Sequence, residues 1–291
     1  MVKKVIGLVA TFIVAVALIL VGIFFDQWIL KTHDDVFETE YSYNETHHWK
    51  ACILPDCKSQ EDYAEHIDED ANGICDVCLY GSTLLIGDVN YTTLQEAVDS
   101  ATEQTTIKLF DDLTSAGLVV NGQDIILDLN GKTFTPNEAV GSSGTKTIGF
   151  QLLKGSKVTI KNGTIKAGEE GIKMLIQNYA DLTLEDVVLD GRGLIGAGSN
   201  QTGANYVLSN NCGNIVIKGN TTIIADEGDF AFDAYYYAPY YTEGVTVSFA
   251  DFTGSIQGKV QVDGNFEGAV GQAKIVKPDG TELTENGIYE I

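Results

Sequence analysis

The chain has very few of the residues that basic and imidazole chemistry requires. It contains one arginine, Arg192, and four histidines, His33, His47, His48 and His66, so no histidine follows residue 66 of 291. A serine–histidine–aspartate triad therefore cannot be built from the part of the chain after His66. That part also has no G-x-x-x-x-G-K-[ST] phosphate-binding motif.

Positive charge is scarce overall. The sequence has 18 Lys and Arg against 41 Asp and Glu, a formal net charge of −23 and a pI near 4.3. Such a chain repels phosphate backbones, which excludes nucleic acid as a partner and leaves divalent cations or cationic partners open. With 31 glycines, 4 prolines and 44% hydrophobic residues, the composition is typical of a folded, turn-rich β protein.

Only one long hydrophobic run occurs, Val5 to Phe25, whose 21 residues carry no charge. As a helix rising ~1.5 Å per residue it would span the ~30 Å hydrocarbon core of a bilayer. Lys3 and Lys4 precede the run and acidic residues follow it, so the positive-inside rule predicts a cytoplasmic N-terminus and an extracytoplasmic body. A second run of this length is missing, which excludes a transporter or channel.

We expect residues 1–25 to be an uncleaved signal-anchor helix in the cell membrane, with residues 26–46 as an acidic stalk. The run is long for a signal peptide, and no A-x-A-like cleavage site follows it, although cleavage stays open as the alternative. The C-terminus has no L-P-x-T-G-type sorting signal, so attachment would depend on the N-terminal helix alone.

Residues 47–80 form a cysteine- and histidine-rich segment. Its cysteines fall into two pairs, Cys52 with Cys57 and Cys75 with Cys78. Tetrahedral zinc takes four such donors, so we predict a zinc module held by these four cysteines, with His48 or His66 as possible substitutes. Two disulfides are the alternative outside the membrane, and either arrangement would staple a segment too short for its own core.

The segment resembles a small module found beside repeat domains in surface proteins of Gram-positive bacteria. The fifth cysteine, Cys212, lies in a later turn, and we interpret it as a small buried residue without chemistry.

After residue 84 the pattern changes to one short helix followed by strands. Thr92 or Thr93 caps a helix that places Leu94, Ala97 and Val98 on one face. Segments with period-two alternation then begin at residues 127, 158, 182, 215 and 245, separated by 31, 24, 33 and 30 residues. This spacing favours stacked coils of a solenoid over the alternative, a β-sandwich.

Two asparagines, Asn178 and Asn211, precede successive strands by four residues. Asparagine tolerates the left-handed conformation of a sharp turn, and stacked copies can hydrogen-bond to one another along a ladder.

The motifs Thr93–Val98, Thr106–Leu109, Ile125–Thr133 and Val158–Ile165 resemble the pectate-lyase-like superfamily of right-handed parallel β-helices. The resemblance covers residues 84–267 and implies an all-β solenoid capped by the short helix, with residues 268–291 as a C-terminal cap. It is specific for fold rather than for activity.

Enzymes on that fold work with acids, calcium and a basic residue. The corresponding candidate constellation here is Arg192 with Asp190, Asp186 and Glu185, and acids from Asp226 to Asp233 are candidates for calcium. Turn acids in so acidic a protein are usually solvated, and a lone arginine usually pairs with a neighbour.

A tyrosine cluster follows these acids. It consists of Tyr235, Tyr236, Tyr237, Tyr240 and Tyr241. Tyrosine rings can stack on sugars while their hydroxyls bond to sugar hydroxyls, so we interpret the cluster as a glycan-binding candidate; packing on the side or end of the solenoid is the alternative.

Two functions follow as hypotheses. The first is a surface-displayed binding or structural module that contacts glycans or protein partners. The second is a carbohydrate-active enzyme, a polysaccharide lyase or hydrolase, with its site around Arg192. The scarcity of basic residues after the zinc module favours the first.

Overall fold

The computed structural model describes residues 35–69, 73–87, 89–141, 146–168, 171–195, 204–239 and 243–291. The chain divides into two compact units, Met1–Gly81 and Ser82–Ile291. The expected membrane helix, residues 1–25, lies outside the described residues. Within the described ranges no helix has the length and apolar character needed to cross a membrane.

The first unit contains a small antiparallel sheet with strand order β1-β2-β3. Its strands are β1 (Ser42–Tyr43), β2 (His47–Ala51) and β3 (Gln60–Glu65). In the register of the sheet, His47 pairs with Glu65 and His48 with Ala64.

The described part of the second unit contains one short helix, α1 (Leu94–Ser100), which follows the unit's first two strands. The Thr93 side chain caps this helix by accepting a hydrogen bond from the Glu96 N–H, and Leu94, Ala97 and Val98 are its buried residues. Both features confirm the prediction from the sequence.

The remaining elements of the second unit are strands. They are β4 (Leu84–Ile86), β5 (Val89–Asn90), β6 (Thr105–Leu109), β7 (Leu113–Ala116), β8 (Leu118–Val120), β9 (Asp124–Asp128), β10 (Thr133–Glu138), β11 (Ile148–Leu152), β12 (Lys157–Lys166), β13 (Met174–Asn178), β14 (Asp181–Asp190), β15 (Tyr206–Asn210), β16 (Asn214–Lys218), β17 (Thr222–Ile224), β18 (Phe230–Tyr235), β19 (Val245–Ala250), β20 (Ser255–Gln257), β21 (Lys259–Asp263), β22 (Ala273–Val276), β23 (Glu282–Leu283) and β24 (Gly287–Tyr289). The described part of the chain is thus predominantly β, which confirms the all-β class.

Pairing among these strands is mostly parallel. The first sheet follows the order β6-β9-β12-β14-β16-β19-β22, and the second follows β8-β11-β13-β15-β18-β21. Shorter parallel pairs join β7 to β10 and β17 to β20. Strands that are neighbours in a sheet are separated along the chain by strands that belong to other pairings, which is the arrangement expected of stacked coils.

The register tests the repeat that the sequence predicts. Val158 pairs with Leu182, and Leu182 pairs with Ile215, so the three middle segments align as expected. The first and last predicted segments are displaced by two residues, because Val158 pairs with Ile125 and Ile215 pairs with Val247. A shift of two residues keeps each side chain on the same face of the sheet, so the apolar pattern permits it.

The inward side chains of these strands form the core. Val158, Leu182 and Ile215, with Ile160, Leu184 and Ile217 two residues further along, are at most 3% exposed. Burying each such side chain fully contributes ~1.5–3 kcal/mol.

The asparagine ladder forms, with one change of residue. Asn178 and Asn210, rather than Asn211, pair in register, and Asn178 Nδ2 donates to Asn210 Oδ1 at 2.9 Å. Both are fully buried. The left-handed conformation expected for such residues occurs instead at Asn130 and Asn162, with φ of 50° and 58°.

Antiparallel strands cover both ends of the first parallel sheet and the C-terminal end of the second. At the N-terminal end β4 pairs antiparallel with β5 and β6, and at the C-terminal end β23 and β24 pair antiparallel with β22 and β21. Such caps protect strand edges that would otherwise pair with another chain.

Candidate functional site

Four potential metal ligands meet in the first unit. The ligand atoms of His48, His66, Cys75 and Cys78 all lie within 4.8 Å of one another. Cys75 Sγ lies 3.7 Å from His48 Nδ1, and Cys78 Sγ lies 3.3 Å from His66 Nδ1. The cluster could therefore hold a metal ion with two sulfur and two nitrogen donors.

Local folding brings these residues together from separate segments. His48 projects from β2, His66 follows the end of β3, and the two cysteines lie in a turn where the Leu79 N–H donates to the Cys75 carbonyl at 2.9 Å. The pairing of His48 with Ala64 fixes the two histidines at neighbouring positions of the sheet.

A second layer of contacts orients His66. Its Nε2 lies 2.8 Å from the Asn44 carbonyl oxygen, which leaves Nδ1 directed at Cys78. The Asn44 side chain in turn accepts hydrogen bonds from the N–H groups of Thr46 and His47. A metal-ligating histidine typically donates its second ring nitrogen to a carbonyl in this way, which fixes its tautomer.

Aromatic rings enclose the same cluster. The Tyr80 ring stacks on His66 with centroids 4.4 Å apart and an interplanar angle of 5°. Tyr41 meets His48 edge-on at 5.1 Å. Both imidazoles are therefore held by packing as well as by hydrogen bonds.

The cluster also takes the place of an apolar core. Among the described residues of the first unit, the only buried ones are His48, Cys75 and Cys78. A segment with so little buried apolar surface needs a covalent or metal staple to hold one structure.

The two thiols differ in acidity. Burial raises the pKa of Cys75, but hydrogen bonds with the backbone of Cys78, Val77 and Ile67 outweigh it and bring the pKa down to about 6. Burial raises the pKa of Cys78 to about 11, with a further contribution from the neighbouring Cys75. The backbone thus already stabilises one thiolate, the form that binds metals.

The other cysteine pair is oxidised. Cys52 and Cys57 form a disulfide with a Cα–Cα distance of 5.8 Å. The structure therefore differs from the predicted four-cysteine set, because the two histidines named as substitutes occupy the places of Cys52 and Cys57. The Cys52–Cys57 pair thus matches the disulfide alternative, whereas Cys75 and Cys78 belong to a cluster that could hold a metal ion.

The tyrosine cluster of the second unit is split between core and surface. Tyr236 is 2% exposed, and its hydroxyl accepts a hydrogen bond from the Gly271 N–H, so it is not accessible to a glycan. Tyr235 and Tyr237 stack with centroids 6.3 Å apart and an interplanar angle of 16°, and Tyr237 is 41% exposed. Tyr240 and Tyr241 lie outside the described residues.

An unexpected group holds this tyrosine pair. The Cys212 sulfur accepts a hydrogen bond from the Tyr237 N–H at 3.2 Å, and the Cys212 N–H donates to the Tyr235 carbonyl at 2.9 Å. Cys212 adopts φ of 68° and is only partly buried, so it has a structural contact that its sequence position did not indicate.

A carboxyl group lies beside the tyrosine pair on the outer side of β18. Because Phe232 and Ala234 point into the core, Asp233 and Tyr235 project to the opposite face. Asp233 is nevertheless 7% exposed, and it accepts a hydrogen bond from the Asn210 N–H. Burial, with a contribution from the charge of Asp263, raises the pKa of Asp233 to about 7.

The candidate catalytic residues do not all come together. The Arg192 guanidinium donates to both carboxylate oxygens of Asp190, at 2.8 and 2.6 Å, which lowers the pKa of Asp190. Glu185 instead lies 3.7 Å from Lys218 Nζ, and Asp186 accepts a hydrogen bond from the Asn220 N–H.

Two of the acids considered for calcium accept hydrogen bonds from residues of other loops. Asp226 accepts a hydrogen bond from the Gly193 N–H, and Asp229 accepts two from Asn205. Among the described residues, two groups of potential metal ligands occur: the His/Cys cluster, and Asp35 with the disulfide-bonded Cys52 and Cys57. Neither is a cluster of carboxylates suited to calcium.

Comparison with known proteins does not assign the chain to a family. No protein-family model, no curated protein and no solved structure matches the chain.

Proposed function

We propose that this chain is a membrane-anchored cell-surface protein whose second unit presents a binding face to glycans. The proposal combines the hydrophobic N-terminal run with the surface features of the second unit. It includes a bacterial, Gram-positive surface location, with residues 1–25 in the cell membrane and the body outside.

We also infer that the second unit is a right-handed parallel β-helix of the pectate-lyase-like kind. The parallel register across successive strands, the helix α1 at the N-terminal end and the ladder from Asn178 to Asn210 support this inference. A β-helix displays long lateral faces along its axis, which suit an extended partner.

The observation that carries the glycan proposal is the stacked pair Tyr235 and Tyr237. Their rings offer apolar faces for a sugar ring, and their hydroxyls can bond to sugar hydroxyls. Asp263 pairs in register with Tyr235, which adds a carboxylate acceptor on the neighbouring strand. Protein partners could use the same face, but aromatic rings next to acceptors favour a sugar.

The experiment is a binding screen of the full-length protein in detergent against immobilised oligosaccharides. We expect binding of at least one glycan class, lost in the double variant Tyr235→Ala, Tyr237→Ala. The matched control is Tyr235→Phe, Tyr237→Phe, which keeps both rings and should retain most of the affinity. Glycan binding that the alanine variant leaves unchanged would contradict a site at Tyr235 and Tyr237.

For the first unit we infer a structural zinc ion bound by His48, His66, Cys75 and Cys78. Two thiolates and two imidazoles are a donor set that structural zinc takes, and the contact from His66 to Asn44 would supply the expected outer support. In such a unit the metal supplies folding free energy and no open coordination position for catalysis.

The alternative function, a polysaccharide lyase or hydrolase centred on Arg192, has less support. Both carboxylate oxygens of Asp190 already accept hydrogen bonds from the Arg192 guanidinium. Glu185 contacts Lys218 instead, and Asp186 accepts a hydrogen bond from Asn220. An enzyme of that kind would need the arginine directed at a substrate.

A further inference from the structure

A partly open recess lies on the second unit where successive turns of the chain are stacked. Its volume is about 170 Å³, and the residues that line it belong to the ranges 154–157, 179–181, 212–214 and 243–244. The Asp181 N–H donates to the Ser156 carbonyl at 3.2 Å. The Asn214 N–H donates to the Ala180 carbonyl at 3.0 Å, so the first three turns lie one above another. The volume corresponds to about six water molecules, which suits a ligand the size of a single sugar.

Positive charge lies at one end of the recess. Lys154 and Lys157 both belong to its first turn. Burial raises the pKa of the Cys212 thiol in the third turn, whereas the charge of Lys154 acts on that pKa in the opposite direction. The Lys154 ammonium group therefore acts on groups two turns away. An anionic group of a ligand would be stabilised at this end of the recess.

A buried backbone donor lines the same recess. Gly213 is buried, and within the described ranges its N–H donates a hydrogen bond to no protein group. Buried N–H groups are nearly always paired, with water or a ligand where the protein supplies no acceptor. The Gly213 N–H is thus a donor for an acceptor oxygen of a bound molecule.

The other end of the recess is rich in acceptors. Glu243 belongs to the fourth turn. Asp181 pairs in register with Lys157 on one side and with Asn214 on the other, and its Oδ1 accepts a hydrogen bond from Asn214 Nδ2 at 3.3 Å. Carboxylates repel an anion, but they accept hydrogen bonds from hydroxyl groups. A single ligand that satisfies both ends carries an anionic group at one end and hydroxyls at the other.

We propose that this recess binds a sugar phosphate or polyol phosphate of single-sugar size. The phosphate lies at Lys154, Lys157 and the Gly213 N–H. The hydroxyl groups of the ligand donate to Asp181 and Glu243. The proposal goes beyond glycan binding by the tyrosine pair and does not depend on it, because neither tyrosine of that pair lines the recess.

The donor set favours a phosphate over a carboxylate. Lysine binds phosphate as a point charge, and backbone N–H groups of turns form phosphate-binding concavities. A carboxylate is recognised best by the planar fork of arginine. The only arginine of the chain, Arg192, already donates to Asp190 and does not line the recess.

The test is calorimetric titration of the full-length protein in detergent with glucose 6-phosphate. We expect saturable binding that is much tighter than the binding of glucose, inorganic phosphate or glucuronate. The double variant Lys154→Gln, Lys157→Gln should weaken binding by roughly tenfold or more. The matched control is Lys166→Gln, Lys277→Gln, which makes the same charge change away from the recess and should alter binding by less than about threefold.

A second variant tests the acceptor end without the lysines. Glu243→Ala should weaken binding of glucose 6-phosphate, because a hydroxyl loses its acceptor, and should leave inorganic phosphate bound as well as before or better, because a negative charge is removed. Tighter binding of glucose 6-phosphate by this variant would contradict the role of the hydroxyl groups.

The remaining outcomes decide the proposal as a whole. Tyr235→Ala, Tyr237→Ala should bind glucose 6-phosphate as the wild type does, so the glycan proposal and this one fail separately. Equal urea midpoints show that the variants are folded. No saturable response, equal binding of glucose and its phosphate, equal binding of glucuronate, or equal losses in the two double lysine variants would each overturn the proposal.

Discussion

The side-chain amide of Gln95 pairs with the backbone of Val119 as a neighbouring strand would. Oε1 accepts a hydrogen bond from the Val119 N–H at 2.9 Å, and Nε2 donates to the Val119 carbonyl at 3.0 Å. Val119 is the central residue of β8, the edge strand of the second sheet. The helix α1 thus blocks this edge with one side chain, in addition to covering the core with Leu94, Ala97 and Val98.

Replacing Gln95 with Ala should destabilise the second unit. The substitution leaves the N–H and carbonyl of Val119 without protein partners at a partly covered edge, which costs about 1–2 kcal/mol. Urea unfolding should show a lower midpoint with an unchanged slope. Gln104→Ala is the control, because the Gln104 amide only reaches the exposed Asp124 at 3.3 Å. Equal midpoints for Gln95→Ala and Gln104→Ala would show that the cap contributes nothing.

The asparagine ladder gives a second prediction. The Asn178 side chain bonds to the backbone of Ala180 with both its oxygen and its nitrogen, and it also donates to Asn210. Asn178→Ala would leave these buried groups unpaired, so we expect a loss of about 2–4 kcal/mol in urea unfolding. Asn211→Ala is the control, since the partly buried Asn211 follows β15 and its side chain reaches the side chains of Ser209, at 3.3 Å, and Tyr179. A loss as large for Asn211 as for Asn178 would contradict the importance of the ladder.

The metal assignment is tested by comparing the two cysteine pairs. Cys78→Ser should abolish the zinc content of the purified protein, because it removes one of the four donors of the proposed site. The double variant Cys52→Ser, Cys57→Ser should keep about one zinc per chain, because these residues form the disulfide. Elemental analysis measures the zinc content of both variants. Loss of zinc in the double variant would support the four-cysteine set predicted from the sequence.

The sequence predicts the strands whose side chains alternate cleanly. Val158, Leu182 and Ile215 each begin an apolar–polar alternation, and alternation specifies both the face and, with the turn before it, the register. The strand β18 was not predicted, because Phe230 to Ala234 are all buried and its one acid, Asp233, looks like a loop residue in sequence. The period-two signal disappears when both faces of a strand are covered.

Ligand choice in the first unit could not be settled from the sequence for a related reason. Both cysteine pairs have spacings compatible with zinc and with a disulfide. The decision depends on the register of β2 and β3, which places His48 and His66 beside Cys75 and Cys78. Long-range register of two short strands is not encoded by local pattern, and neither is the support of His66 by Asn44.

The last prediction concerns pH. The pKa of Asp233 is about 7 in the folded protein, raised first by burial and further by the charge of Asp263, against an ordinary value of 3.8. Between these two values the folded state keeps a proton that the unfolded state has lost. The stabilisation from this proton is therefore complete below about pH 4 and is lost as the pH rises through 7.

Asp233→Asn should remove this dependence while keeping an acceptor for the Asn210 N–H. At 1.36 kcal/mol per pKa unit, the variant should gain a few kcal/mol on the wild type between pH 4 and pH 8. Urea unfolding at several pH values measures the difference between the two proteins, in which the contributions of other acids, such as the lowered pKa of Asp190, cancel. A difference that stays constant from pH 4 to pH 8 would show that Asp233 is already ionised in the folded protein and that other contacts stabilise its buried carboxylate.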